Sequence, residues 1–236
     1  MNEQPQEAES AGRNWKVIGI VALFVAGLLA SGTLRLLHLR AEAPFALSAY
    51  ATEIYVGLTI LAVVLLRRSG VPMNRLGFGL AFKPVRYLLL AAVGVGLIQL
   101  AGLLLEPLWE QMFGGTRDLT RFSGVSGSSV ELIKLLALSW ILAAFGEELA
   151  FRIVLMRGIA FALGDSRLAF GVALVVQAVV FGFIHAYQGP AGILGTTING
   201  LIYGGLTLAA RGSIWPAALA HGSSNTIGIM ELYLSG

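Results

Sequence analysis

Between Val17 and Ala30 the chain places fourteen residues in a row without one polar side chain. With its flanks, from Trp15 to about Leu37, that run is long enough to cross a hydrocarbon core of about 30 Å as a helix. A segment in lipid must satisfy its own backbone N–H and C=O groups, which leaves only helices or closed barrels, and unbroken apolar runs select helices. Further runs follow at about 45–66, 87–105, 130–163, 168–187, 191–210 and 213–234. With 56% hydrophobic and 12% charged residues, the chain lies outside the balance of a soluble domain. The expected fold is all-α, a polytopic transmembrane bundle of about seven to eight spans. One domain over 15–236 follows a polar tail at 1–14, which reads as disordered and lacks the apolar core of a secretory signal.

The connectors give an orientation. Residues 67–86 carry Arg67, Arg68, Arg75, Lys83 and Arg86 without an acid, as a cytoplasmic loop does. With the amino terminus also inside, ten Lys and Arg fall on the cytoplasmic side and five, namely Arg35, Arg40, Arg117, Arg121 and Lys134, on the other. The segment 106–130 reads as a flexible exterior loop with a Gly/Ser-rich tract. The fourth element is too long for one perpendicular helix, so tilt or a break near Gly158 is expected. Gly200 and Gly204, four apart, allow a close helix contact, and Gln177, Thr196, Thr197 and Asn199 read as interhelical hydrogen-bonding residues. The basic surplus is explained by loops, and no nucleic-acid partner is expected.

Three segments carry polar groups that lipid would reject. Glu147, Glu148 and Arg152 stand in the fourth apolar helix, where an unpaired charge costs at least about 2.5 kcal/mol. Glu148 and Arg152 are four apart and can pair on one face, while Glu147 points elsewhere. Phe181 and His185 repeat that spacing in the fifth helix, and His221 and Asn225 in the last. Small residues at Gly146, Gly182, Gly222, Ser223 and Ser224 allow these helices to converge around a polar pocket. There Glu147, with His185, can take a proton from water, while His221 and the Asn225 amide donate to the oxygen of a tetrahedral intermediate. Glu148, lowered by its arginine, serves better as an orienting partner.

Glu-Glu-x3-Arg, Phe-x3-His and His-x3-Asn, in that order over 145–225, resemble the three motifs of the CPBP intramembrane protease family, the CAAX-processing and bacteriocin-processing enzymes also called Abi. The resemblance implies an intramembrane endopeptidase in which Glu147 and His185 hold and activate the water and His221 and Asn225 stabilise the oxyanion. Glu148, Arg152 and Phe181 would shape the site. Substrates would be membrane-delivered peptides or proteins, prenylated or leader-bearing, and the membrane a bacterial inner membrane or its equivalent. The family is described both as metalloproteases and as metal-independent glutamate proteases. No cofactor is favoured; zinc on Glu147, His185 and His221 is the alternative, although no His-Glu-x2-His helix is present and no acid is evident behind either histidine. Without cysteine, no thiolate site is available.

A straight fifth helix from Leu168 would put His185 about 25 Å along it, out of register with a mid-helix Glu147. Either the helix bounds shift or the fifth helix ends inside a cavity. Two other classes would also place charges in a membrane, a transporter and a non-catalytic scaffold or immunity-type protein.

Overall fold

A computed structural model of the chain describes residues 4–39, 50–72 and 83–235, with side chains from residue 15 onward. The connector with Arg40, Glu42 and Pro44 and the central part of the basic loop, with Arg75, lie outside the described residues. Those described form seven long helices: α1 (Gln4–Leu39), α2 (Ala51–Arg68), α3 (Pro84–Phe113), α4 (Ser129–Ala162), α5 (Arg167–Ile184), α6 (Gly189–Ala209) and α7 (Trp215–Leu234). Short 3₁₀ turns at Thr120–Val125 and Ala186–Gln188 complete the trace. Among the described residues no strand interrupts this order, so the chain is an all-helical membrane bundle.

Five of the helices, α1 from Trp15, α3, α4, α5 and α6 with the preceding turn, are long and apolar enough to cross a bilayer. Their outward faces carry Leu23, Leu103, Ile133 and Leu168, all well exposed, as lipid-facing surface should be. The other two helices are more polar for visible reasons. Helix α2 includes Glu53, Arg67 and Arg68, and α7 carries the stretch His221 to Asn225.

The centre of the bundle is the second half of α4. Seven successive residues, Ala150 to Met156, are buried, so this stretch is enclosed on every side rather than along one stripe. Helices α1, α2, α5 and α6 pack around it, and α3 lies against α6 and α7. The expected break near Gly158 does not occur. Instead, α4 is π-helical over Ser139–Glu147 and Leu149–Met156, and Gly158 packs against Val21 of α1. Widened i→i+5 turns shorten the helix and re-aim its side chains, and such turns favour functional sites.

Two further bounds differ from the sequence reading. Helix α3 continues through Glu106 and Pro107 to Phe113, where Gly114 closes it in the left-handed conformation at φ 71°. Trp109, 4% exposed, anchors this extra length in the protein. The remaining loop is not an unattached flexible tract: Val125 is buried, Asp118 N–H donates to Gln188 O at 3.1 Å, and Gly127 N–H donates to Tyr233 O at 3.2 Å.

The α5–α6 contact uses the glycine pair as expected. A Cβ at Gly200 would lie 3.0 Å from Ala178 Cα, and one at Gly204 would meet Leu174, Gln177 and Met156. Gly205, next along α6, has open space instead. Gly204→Ala is therefore expected to destabilise the protein by about 1–3 kcal/mol through overpacking. Gly205→Ala should be neutral or stabilising by up to about 1 kcal/mol, from helix propensity alone. Reversible unfolding in mixed micelles measures both, and equal shifts would refute the tight seam.

Candidate active site

The polar groups in the membrane are brought together by α4, α5 and α7. Glu148 and Arg152 are fully buried, and Arg152 Nε lies 3.0 Å from Glu148 Oε2. The guanidinium sits among aromatic rings, its Cζ 5.1 Å from the Phe181 centroid and 5.2 Å from that of Tyr203. Its NH2 group donates to Gly200 O at 3.3 Å, a carbonyl that also accepts from Gln177 Nε2 at 2.8 Å. A buried charge thus has an ion partner, aromatic faces and a backbone carbonyl in place of water.

Glu148 has a second role that the sequence reading lacked. Its Oε1 lies 3.1 Å from His221 Nδ1. A carboxylate only accepts, so Nδ1 carries the proton and Nε2 of the neutral ring is left as an acceptor. The ring is also fixed from the side by Tyr203, stacked on it at 4.6 Å and 16°. The absence of an acid behind the histidines is therefore corrected: Glu148 stands behind His221. Its neighbour Glu147 points to the other ring nitrogen, with Oε2 3.9 Å from Nε2, beyond hydrogen-bond distance. That Glu147 oxygen is buried and has no hydrogen-bond partner.

His185 is the residue that closes α5. Its Nδ1 lies 2.8 Å from Phe181 O, and because a carbonyl accepts, the other nitrogen of the neutral ring is again free as an acceptor. After His185 a 3₁₀ turn over Ala186–Gln188 leads into α6, and this helix end lines a cavity. Both alternatives bear on the register: the helix ends at Ile184, short of the expected Tyr187, and its end lines the cavity. Phe181, one turn back, packs on both histidine rings, at 4.7 Å from His185 and 6.1 Å from His221.

Asn225 donates through Nδ2 to Ser139 Oγ at 3.1 Å, which leaves its second amide hydrogen free. Glu147, His185, His221 and Asn225 all line one cavity of about 970 Å³, shared with Tyr203, Phe181 and residues of α1, α2 and α3. Gly182 and Gly222 permit this convergence, since a Cβ at the first would strike Thr197 of α6 and one at the second Trp140 of α4.

Among the described residues no three His, Asp or Glu side chains come together as a metal-holding group. Glu147, His185 and His221 share the cavity, and of the three Glu147 Oε2 and His221 Nε2 approach to 3.9 Å. Ser139 escaped the sequence reading, and Tyr203 reads there only as a packing or interface residue. A tyrosine in an apolar helix and a serine in another carry no signal until the helices are packed. Thr196 and Thr197 correct it differently: their hydroxyls donate to carbonyls of their own helix, Gly192 O at 2.7 Å and Ile193 O at 2.8 Å, the usual recourse of a helical threonine.

The bundle thus buries a carboxylate pair, an arginine and two oriented histidines around one internal cavity. Residues 129–227, which hold all these groups, match the model of the Rce1-like family, described as type II CAAX prenyl endopeptidase Rce1-like. No curated protein and no solved structure matches the chain.

Proposed function

We propose that the protein is an intramembrane endopeptidase that cleaves a peptide bond with a water held between Glu147 and His185. The observation that carries this reading is the meeting of Glu147, His185, His221 and Asn225 in one cavity inside a helical membrane bundle. The water donates one hydrogen to Glu147 and the other to His185 Nε2. As its oxygen adds to the scissile carbonyl, Glu147 takes the proton and the carbonyl oxygen becomes an oxyanion. The free Asn225 N–H donates to that oxygen. His221, held by Glu148 at 3.1 Å, is placed to donate a second hydrogen bond once its ring carries both protons. Glu147 then passes its proton to the leaving amine, and the carbon–nitrogen bond breaks.

This route uses the carboxylate as base and needs no metal; the zinc version is the alternative. Exhaustive chelation of the purified protein in proteoliposomes should leave cleavage of a membrane-anchored substrate intact. Loss of cleavage, restored by zinc alone, would favour the alternative. Asn225→Ala is expected to lower kcat by about 10²–10³ with little change in KM, as removal of an oxyanion donor does. An unchanged kcat in that variant would remove Asn225 from the mechanism. The substrates are peptides or proteins held at the membrane, prenylated or leader-bearing. The membrane is a bacterial inner membrane with the amino terminus cytoplasmic, in keeping with the ten-to-five division of basic residues.

A further inference from the structure

The cavity has a second polar end, built from residues that lie outside the family match or that the mechanism leaves idle. Arg35 of α1, and Arg117 and Arg121 of the loop before α4, all line it. Two of them flank one ring: Arg35 Cζ is 5.0 Å and Arg121 Cζ 4.8 Å from the centroid of Tyr187. Arg117 lies against Gly195 of α6, where a Cβ would collide with its guanidinium, and its Nε is buried without a hydrogen-bond partner. Among the described residues none of the three forms an ion pair.

Like charges do not gather beside a cavity without a cost. Burial lowers the pKa of both Arg117 and Arg121, and Arg35 adds to the effect on Arg121. Four acids also face the cavity, Glu53, Glu106, Glu147 and Glu231, of which Glu106 acts on Arg117 from beyond ion-pair distance. Asp118 is engaged elsewhere, accepting from Thr120 N at 3.0 Å and from Thr120 Oγ1 at 2.6 Å. The arginine loop is nevertheless held in place, since Asp118 N–H donates to Gln188 O in the turn that carries Tyr187.

We propose that Arg35, Arg117 and Arg121 form an anion subsite that receives a carboxylate or phosphate group of a molecule lying in the cavity. Guanidinium groups suit such groups because their paired N–H donors match two oxygens at once. The subsite adjoins the catalytic end: the Tyr187 ring that Arg35 and Arg121 flank is 5.7 Å from the ring of His185. An extended peptide covers about 3.3–3.6 Å per residue, so an anion two or three residues past the scissile bond reaches it. Two sources share this chemistry, the carboxylate end of a peptide substrate and the phosphate of a lipid headgroup. The subsite's role in choosing substrates rests on the protease reading, whereas its binding of an anion does not.

The test uses the full chain as Glu147→Gln, so that binding is read without turnover, in nanodiscs of phosphatidylcholine. An N-acetylated leucine tripeptide is titrated as the free carboxylate and as the carboxamide. A carboxylate preference of tenfold or more is expected, abolished in Arg35→Gln/Arg121→Gln and partly kept in Arg35→Lys/Arg121→Lys. If nanodiscs with added phosphatidylglycerol suppress that preference through the same arginines, lipid phosphate is the natural occupant. The lysine pair also controls for folding, because it retains the charge. Equal affinity for the two peptide forms, together with no effect of phosphatidylglycerol, would overturn the proposal, as would a preference that survives the double glutamine variant. Failure here with cleavage intact in the wild type leaves the protease reading standing. Binding here with no cleavage in any membrane leaves the subsite and removes the protease.

Discussion

Membranes carrying Glu147→Gln are expected to lack the new protein amino termini that membranes carrying the unaltered chain produce, at equal protein level. A general base contributes about 10²–10⁴ in rate, and Glu147 has only that work to do. Its Oε2 is buried yet makes no hydrogen bond, and the nearest basic nitrogen, His221 Nε2, is 3.9 Å away. Glutamine keeps the shape and loses the basicity, so the variant should accumulate and unfold like the unaltered protein. A structural carboxylate would behave in the opposite way, with lower stability and no special effect on cleavage. The same comparison separates the remaining classes. A scaffold would leave both profiles free of new termini while its cellular effect survived the substitution, and a transporter would lose transport without any change in termini.

The sequence carried the chemistry further than the architecture. Glu147, Glu148, Arg152, His185, His221 and Asn225 are legible because each violates the solvent in which it sits, and helical spacing pairs them without any knowledge of packing. The pairing between helices is another matter. Nothing in the spacing of His221 and Asn225 says that the ring bonds Glu148 while the amide bonds Ser139. The reason is local: α4 is π-helical through this region, and a helix with i→i+5 bonds does not aim its side chains at the angles that a regular period assumes. Helix ends misled for a similar reason. Glu106 and Pro107 look like a boundary, yet α3 runs past them because Glu106 faces a polar cavity and Trp109 is held in the protein. A proline within a helix loses one N–H bond, and packing around it outweighs that loss here.

Arg152→Met should be the most destabilising single change in the bundle, by about 3–5 kcal/mol, because it leaves Glu148 charged, fully buried and without its ion partner. Three structural links fail together. Gly200 O loses one of its two donors, the faces of Phe181 and Tyr203 lose their cation, and the carboxylate that orients His221 loses its ion partner. A Glu148 side chain no longer held by Arg152 fixes the His221 ring less firmly, so cleavage should fall even in the fraction that folds. Replacing both partners is the informative control. Glu148→Gln/Arg152→Met removes the uncompensated charge and with it the penalty that Arg152→Met alone leaves in the bundle. Stability in the double variant should therefore recover relative to Arg152→Met, while activity should not, since glutamine holds His221 without its charge. Unfolding in mixed micelles and cleavage in proteoliposomes, measured on the two single variants and the double, give the coupling directly. Additive losses of stability would mean that the pair is not a unit. Recovery of cleavage along with stability would mean that Glu148 serves the fold alone, and that His221 needs no charged partner to do its work.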